Sequence, residues 1–411
     1  MSDLFKTARA VSLALAGLLV LLLASGCATP TRLAAVPENL QSQAQLPGLE
    51  DVRYRIGNAD DLAKMAREGM ESVKREQAYL EASGHKGPLP PAVYLAISGG
   101  GDNGAFGAGL LNGWTAAGDR PTFKLVTGVS TGALTAPFAF LGSDYDATLK
   151  EVYTTISAKD IVEPRGFLAV LINDAMADNK PLRNLIGKYV NQELLDAIAA
   201  EYAKGRILLV GTTDLDARQG IIWNMTKIAT IQDPRALELF QTLLVASAAI
   251  PGAFPPVLID VEANGQPYQE MHVDGGATAQ VFVYPPSLNI KDSLRKNGVV
   301  RERRAYVIRN SRLDPDWAQV ERRAMSIAGR AISSLIQTQG LGDLYRIYLT
   351  TQRDGVDFNL AYIPASFNAP HQEEFDTEFM RQLYALGYDM AVKGYPWQKA
   401  PPGFIAASAS K

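Results

Sequence analysis

The sequence predicts an α/β fold in which helices cover both faces of a mostly parallel sheet. Between residues 92 and 309, short apolar segments with strand character alternate with helical segments, a pattern typical of such sheets. The chain has 411 residues and is 47% apolar, which suffices for a large core. We find no internal repeat and, after residue 290, no linker that marks a separate domain.

The predicted elements begin at residue 60. A helix is predicted over residues 60–80, with Asp60 as its cap, and the breaker-rich residues 84–91 separate it from the sheet. The predicted strands are residues 92–98, 123–129, 206–213, 221–225, 269–273 and 304–309. The predicted helices are residues 104–117, 131–141, 191–204, 234–249, 315–352 and 373–392.

The first residues have the features of an export signal. Lys6 and Arg9 precede an uncharged apolar run at residues 10–24, which is shorter than the roughly 20 residues of a membrane-spanning helix. Small residues then lead to Cys27, the only cysteine, and this segment resembles the lipobox of bacterial lipoproteins. The resemblance implies cleavage before Cys27 and a lipid anchor on it. The alternative is an ordinary signal peptide followed by a coincidental cysteine.

The residue after Cys27 bears on the destination of the protein. An aspartate at this position is typical of lipoproteins kept in the inner membrane of enteric bacteria, whereas this chain has Ala28. We therefore expect the bacterial cell envelope, and the outer membrane rather than the inner one.

Charge and residue usage exclude or disfavour several function classes. The net charge of −3 gives no reason to expect a nucleic-acid partner. A single cysteine excludes an intrachain disulfide, and the three histidines, His85, His272 and His371, are too few to favour a histidine-rich metal site. We expect neither a metal nor an organic cofactor.

These features divide the chain into five predicted parts. Residues 29–47 mix Thr, Pro, Ala and Gln without periodicity and are predicted to be a spacer. The parts are a signal peptide at 1–26, a tether and helical extension at 27–90, a catalytic core at 91–290, a strand and helices completing the same domain at 291–398, and a disordered tail at 399–411.

A first chemical motif, Gly128-Val129-Ser130-Thr131-Gly132, lies between a predicted strand and a predicted helix. This G-x-S-x-G pattern is typical of a nucleophile elbow, whose tight turn leaves no room for flanking side chains. The serine then stands at the top of the sheet, and the N–H groups of the following helix point to the reaction centre. A tight turn with a capping serine is the alternative interpretation.

A second motif, Ser98 to Gly104, also lies between a strand and a helix. It contains Gly99, Gly100, Gly101 and Gly104. Consecutive glycines allow backbone N–H groups to converge on an anion, such as the oxyanion of an acyl-transfer intermediate.

The glycine motif has a second interpretation. The spacing of Gly99, Gly101 and Gly104 fits a dinucleotide-binding loop, and Asp119 lies near the position of the ribose-binding acid. This interpretation leaves the Ser130 motif unexplained.

A third motif, Asp274-Gly275-Gly276, ends a predicted strand. Taken alone, an aspartate before two glycines is typical of a turn. Its place after the other two motifs favours a chemical role instead.

The three motifs, together with the apolar stretch at residues 246–256, occur in the order found in patatin-like phospholipases. The chain resembles this family over residues 92–286. The resemblance implies a three-layer α/β/α sandwich and a lipid acyl hydrolase acting on phospholipid or other acyl esters. It further implies that Ser130 is the nucleophile, that Asp274 takes its proton directly, and that the glycine loop stabilises the oxyanion. Asn103 stands where the family usually has a basic residue.

An aspartate that acts as a base needs a special environment. Its ordinary pKa is near 3.9, which makes it a poor acceptor for a hydroxyl proton in water. We therefore expect a dry pocket that raises the pKa of Asp274. Two alternatives remain: a conventional Ser130–Asp274–His371 triad, and a catalytically inactive envelope lipoprotein. His272, two residues before Asp274, is expected to be structural or at the pocket rim, and His85 to lie in the boundary loop.

Overall fold

Nine strands form one sheet in the computed structural model, which describes residues 31–161, 163, 164, 175 and 177–404. The strands of this sheet are β1 Arg53–Arg55, β2 Ala92–Ile97, β3 Leu125–Val129, β4 Ile207–Asp214, β5 Gln219–Asn224, β6 Val257–Ala263, β7 Gln266–Asp274, β8 Arg303–Arg309 and β9 Asp357–Tyr362. Glu163–Pro164 and Ala177–Asp178 pair separately.

The centre of the sheet is parallel, as the sequence predicts. Strands β4, β3, β2, β8 and β9 lie side by side in this order and run in one direction. On the other side of β4, β5 is antiparallel to it, and β1 is antiparallel to β5. Strands β6 and β7 form a hairpin, and the end of β7 pairs with the end of β4, where Thr212 lies opposite Asp274. This pairing brings Asp274 to the carboxyl edge of the parallel strands.

Helices cover both faces of the sheet. On β2, Leu95 and Ile97 pack on one face with Phe106, while Tyr94 and Ala96 pack on the other. The alternation gives the predicted three layers, with the sheet in the middle. The helices are α1 Ala59–Ala82, α2 Gly104–Ala117, α3 Thr131–Leu141, α4 Asp146–Thr155, α5 Ala158–Ile161, α6 Lys180–Tyr189, α7 Gln192–Ala203, α8 Met225–Ala229, α9 Arg235–Ser247, α10 Ile290–Lys296, α11 Ala324–Asp354 and α12 Thr377–Val392.

The segment before α1 differs from the predicted spacer. Residues 36–47 pack on the domain, and Val36 and Leu46 are buried in its core. The backbones of Gln45 and Glu262 exchange two hydrogen bonds, of 3.0 and 2.9 Å. The chain then adds β1 to the sheet, so apolar contacts and strand pairing hold this segment in place. The sequence predicted a spacer because the segment has no clear periodicity, and the structure shows a packed segment instead.

The beginning of α1 also differs from the prediction. The side chain of Asn58, not that of Asp60, caps this helix by accepting a hydrogen bond from the Asp61 amide at 3.0 Å. An Asn side chain satisfies one of the free N–H groups at a helix start.

The C-terminal part of the chain shares the sheet and the core. Strands β8 and β9 extend the parallel sheet beyond β2, and α12 packs along α2. The two helices approach so closely that a Cβ at Gly109 would lie 2.0 Å from the carbonyl oxygen of Tyr384.

The predicted tail is in part a packed segment. Lys399 forms an ion pair with Asp357 at 2.8 Å, and the ring of Phe404 contacts Tyr345 and Tyr348. The expectation of disorder is therefore wrong for residues 399–404, because aromatic packing and an ion pair hold them.

In the described part of the chain, no helix is both long enough and apolar enough to cross a bilayer. The predicted signal peptide, Cys27 and residues 405–411 lie outside the described residues.

Candidate active site

Ser130 occupies a strained turn between β3 and α3. Its φ of 57° and ψ of −128° are rare for a residue with a side chain, and such strain is typical of functional turns. A Cβ at Gly128 would lie 2.3 Å from the carbonyl oxygen of Gly132, and one at Gly132 would lie 2.2 Å from that of Ile97. Both flanking positions therefore require glycine. The predicted elbow is present, and the helix α3 begins directly after Ser130.

Asp274 meets Ser130 across the edge of the sheet. The Ser130 hydroxyl approaches the carboxylate of Asp274 closely enough to lower the pKa of that carboxylate, and the Gly276 amide donates to its Oδ1 at 2.7 Å. Both side chains are buried, each being 6% exposed. Burial raises the pKa of Asp274 to about 6, although Ser130 and Gly276 oppose this shift. The expected dry environment of this carboxylate is therefore present.

The stretch at residues 246–256 supports both members of this pair. The Ser247 hydroxyl accepts from the Ser130 amide at 3.0 Å and donates to the Gly211 carbonyl at 2.7 Å. The Asp274 amide donates to the Ala249 carbonyl at 2.9 Å. Sequence reasoning quoted this stretch without assigning roles within it, and the Ala-Ser pattern was the available signal.

The glycine loop lies beside Ser130, but its four glycines differ in function. A Cβ at Gly99 would lie 3.1 Å from that of Ser130, and the Gly99 amide donates to the Gln280 carbonyl at 3.0 Å. The Gly104 amide donates to backbone carbonyl oxygens of the same loop, those of Asp102 and Gly101. Only Gly100 and Gly101 have amides without an acceptor in the described residues. The amides of Gly99 and Gly104 therefore hold the loop, and those of Gly100 and Gly101 are the candidate oxyanion donors.

Asn310, which follows β8, anchors the same loop. Its side-chain amide donates to the Ser98 carbonyl at 3.0 Å, and its Oδ1 accepts from the Gly107 amide at 3.1 Å. A Cβ at Gly100, whose φ is 153°, would lie 2.2 Å from the Asn310 carbonyl oxygen. Sequence reasoning missed Asn310, because no local pattern relates β8 to a loop 200 residues earlier.

Gln280 joins the glycine loop to the aspartate loop. Its carbonyl accepts from Gly99, and its side-chain amide donates to the Gly276 carbonyl at 2.9 Å. Its own amide donates to the buried Asp343 at 2.7 Å. Gln280 therefore fixes the position of the glycine loop, which carries the candidate oxyanion donors, relative to the loop of Asp274. Sequence reasoning missed it as well.

His371 lies beside the glycine loop, and its partner is Asp102. Its Nε2 lies 2.7 Å from Oδ2 of Asp102, a carboxylate that also accepts from the Phe375 amide at 3.0 Å. The carboxylate of Asp274 lies against Ser130 and Gly276. The structure thus brings His371 near the site but pairs it with a different aspartate from the one that a triad requires.

His272 is structural. It is fully buried, with Nδ1 2.9 Å from the Thr212 hydroxyl and Nε2 3.1 Å from Glu270. Glu270 also pairs with the buried Arg53 of β1. Although burial disfavours its charged form, Arg53 and His272 lower the pKa of Glu270 to about 2. This network ties β1 to β7. His85 is exposed in the boundary loop.

The dinucleotide interpretation of the glycine loop fails on distance. Asp119 follows α2 at the end opposite to the loop, and a helix of 14 residues is about 20 Å long. Its carboxylate therefore cannot reach a ligand held at Gly99 to Gly104. Within the described ranges, no group of three His, Cys, Asp or Glu side chains is placed to hold a metal.

The comparison with family models agrees with this geometry. Residues 95–286 match the model described as patatin-like phospholipase. This part of the chain is a patatin-like phospholipase domain. The matched residues contain Ser130, Asp274 and the glycine loop.

The matches among solved structures have low sequence identity, and the comparison with curated sequences gives none. VipD from Legionella pneumophila is 12% identical with a TM-score of 0.34, over 74% of this chain and 66% of VipD. The type III effector protein ExoU is 13% identical with a TM-score of 0.23, over 74% of this chain and 53% of ExoU. The chain thus spans slightly under two thirds of VipD and about half of ExoU. No curated protein sequence matches it significantly.

Proposed function

We propose that the patatin-like domain hydrolyses acyl esters of lipids with Ser130 as nucleophile and Asp274 as proton acceptor. The close approach of these two buried side chains at the strained turn of Ser130 is the observation that carries the proposal. A serine hydroxyl becomes an effective nucleophile when an adjacent base takes its proton. Here no histidine stands between the two groups.

The reaction proceeds in two halves. The Ser130 oxygen bonds to the ester carbonyl carbon while its proton passes to Asp274. The tetrahedral intermediate then breaks the ester C–O bond, and the lipid alcohol leaves with the proton from Asp274. Water attacks the acyl-enzyme, gives its proton to Asp274, and releases the fatty acid as the Ser130 hydroxyl re-forms.

Two features compensate for the weakness of an aspartate as base. Its raised pKa of about 6 brings the carboxylate closer to the range in which it accepts a proton. The Gly100 and Gly101 amides and the start of α3 supply positive ends of dipoles for the developing oxyanion. Removing one such donor in other enzymes costs about 2.7–4 kcal/mol of transition-state stabilisation.

A serine-directed fluorophosphonate probe and a panel of lipid esters test this function. We expect labelling and hydrolysis by the wild-type protein, loss of both in Ser130→Ala, and loss of hydrolysis in Asp274→Asn. Ser83→Ala, which removes an exposed serine at the end of α1, is the matched control and should keep both. Labelling that survives in Ser130→Ala contradicts the proposal. A wild-type protein that neither reacts nor hydrolyses any ester supports the inactive lipoprotein instead.

We further propose that acylation of Cys27 holds the domain at the bacterial envelope, in the outer membrane rather than the inner one. The support is the sequence alone: an apolar signal segment and small residues before the only cysteine. About 0.8 kcal/mol per buried CH₂ makes several acyl chains a firm anchor. We expect fatty-acid labelling of the wild-type chain and none of Cys27→Ser; equal labelling contradicts the anchor.

A further inference from the structure

The long helix α11 has two halves that differ in burial. In its second half, Leu344, Ile347 and Tyr348 are buried against the sheet. In its first half, residues 326–339 include no buried side chain. Exposed apolar side chains are concentrated here and in the preceding segment: Trp317 at 88%, Val320 at 41%, Ile327 at 51%, Ile332 at 57%, Leu335 at 69% and Ile336 at 40%.

The four apolar side chains on the helix itself, those of Ile327, Ile332, Leu335 and Ile336, fall within one half of its circumference, with Ile327 and Ile336 at the two edges of that half. Leu335 lies eight residues after Ile327 and three after Ile332, spacings that place side chains on the same side. A surface helix normally turns such a face toward the core. This one turns it toward solvent.

The opposite, polar face holds the helix to the protein. The Arg330 guanidinium donates to Asp316 Oδ2 at 3.0 Å, and the Gln337 side chain donates to the Arg312 carbonyl at 3.0 Å. The Ser311 hydroxyl donates to Gln337. The outward direction of the apolar face is thus fixed by polar contacts on the other side.

The charges around this face leave a small positive excess. Asp314, Asp316 and Glu321 are each paired with an arginine, namely Arg312, Arg330 and Arg323. Arg322 has no carboxylate partner in the described part of the chain. Within residues 311–339 every carboxylate is therefore paired with an arginine, and one arginine remains.

The first half of α11 is linked to the candidate active site through its polar side. Ser311, which binds Gln337 of α11, directly follows Asn310, and Asn310 anchors the glycine loop. The helix that carries the exposed apolar side chains is therefore attached to the segment that holds this loop.

We propose that Trp317, Val320, Ile327, Ile332, Leu335 and Ile336 form a docking surface that enters the interface of a lipid bilayer and brings the candidate active site to its substrate. The inference rests on the proposed function, because that function needs access to lipid esters. An exposed tryptophan, aliphatic side chains and an unpaired arginine are the combination that lies in bilayer interfaces. A concentration of exposed apolar side chains is typical of an interaction site, and a lipid surface also supplies the substrate.

The first test is fluorescence of the full chain with phosphatidylcholine–phosphatidylglycerol vesicles that carry brominated acyl chains. Trp317 is the most exposed tryptophan of the described residues, and subtracting the spectrum of Trp317→Phe isolates its emission. We expect quenching of Trp317 in the wild-type protein and at least fivefold less in the combined variant Ile332→Ser, Leu335→Ser and Ile336→Ser. Because this readout is local, a lipid anchor elsewhere does not produce it.

The second test compares two substrates. We expect the combined variant to lose at least tenfold in hydrolysis of vesicle phospholipid and to keep its activity on a water-soluble short-chain ester. Leu335→Ser alone should show a smaller loss on vesicles. Val300→Ser is the matched control, because this valine is 87% exposed and precedes the opposite end of β8; it should lose nothing.

Three outcomes overturn the inference. One is the absence of Trp317 quenching by vesicles, and another is equal vesicle hydrolysis by the combined variant and Val300→Ser. The third is concentration-dependent dimerisation of the wild-type protein that the combined variant loses, which assigns the face to a second copy. Failure of the proposed function gives a distinct result, since the wild-type protein then hydrolyses neither substrate while vesicles still quench Trp317.

Discussion

The candidate active site and the docking surface both invert the usual distribution of polarity, in opposite directions. The candidate active site buries a hydroxyl and a carboxylate, those of Ser130 and Asp274, each 6% exposed. The docking surface exposes large apolar side chains, among them Trp317 at 88%. Proteins usually bury apolar groups and expose charged ones. A buried polar pair and exposed apolar side chains therefore indicate function, whereas a buried apolar residue contributes only to stability.

The two regions place different demands on the fold. The candidate active site depends on close packing, because Gly99, Gly128 and Gly132 leave no room for side chains around the turn at Ser130. The docking surface depends on the absence of packing, because the first half of α11 buries no side chain and is held by polar contacts. Substitutions that change side-chain volume should therefore lower the free energy of unfolding strongly at the candidate active site and only slightly at the docking surface.

Two glycines that follow a helix start, one in each region, make this comparison sharpest. Gly132→Ala would place a Cβ 2.2 Å from the Ile97 carbonyl oxygen, whereas nothing lies within 4 Å of a Cβ at Gly329. We expect Gly132→Ala to lower the free energy of unfolding by about 3 kcal/mol or more and to abolish ester hydrolysis. Gly329→Ala should raise that free energy by about 0.5–1 kcal/mol, because alanine favours helix. Urea unfolding of both variants measures this; equal stabilities would contradict the proposed packing.

The second prediction concerns pH. Asp274 must be ionised to take the Ser130 proton, and burial raises its pKa to about 6. Hydrolysis of a water-soluble ester should therefore fall as the pH decreases below about 6, by roughly tenfold per pH unit, and level off above it. Vesicle binding through apolar side chains and arginines should change little between pH 5 and 8, because arginine stays charged. A rate that is constant from pH 8 to pH 4 would exclude Asp274 as the base.

The smallest effect is expected for His371→Ala. This histidine binds Asp102, and the Phe375 amide remains as a second donor to that carboxylate. We expect kcat to fall no more than about threefold, with an unchanged pH profile. Steady-state kinetics on a soluble ester measures this. A loss of several thousandfold would restore the triad of Ser130, Asp274 and His371.

The parts of the site that sequence reasoning predicted are those whose requirements are local. A tight turn around Ser130 needs glycines two residues away on each side, and a loop that offers amides needs consecutive glycines, so both leave a pattern in the sequence. The order of the motifs then indicated Asp274. The spacing of Gly99 to Gly104 could not reveal which amides are already bonded, because the acceptor for Gly99 is Gln280, almost 200 residues later.

Other parts had no local signal. The segment at residues 36–47 has little periodicity, yet Val36 and Leu46 are buried because the β6–β7 hairpin provides a surface for them. Asn310 and Gln280 are single polar residues in unremarkable surroundings, and only the fold brings them to the glycine loop. The pattern of residues 315–352 predicted a helix, and only the structure shows that the first half of α11 turns apolar side chains toward solvent.

By itself, the sequence determined the alternation of strands and helices, the turn at Ser130, the glycine loop and the aspartate that follows β7, since each depends on residues close together in the chain. Only the tertiary structure decided that Asp274 is buried beside Ser130 and that His371 binds Asp102. It also decided which glycine amides have no acceptor and that the first half of α11 exposes its apolar side chains to solvent. Burial, the choice of hydrogen-bond partner and the orientation of a helix depend on residues that are distant in the chain, so a local sequence pattern does not predict them.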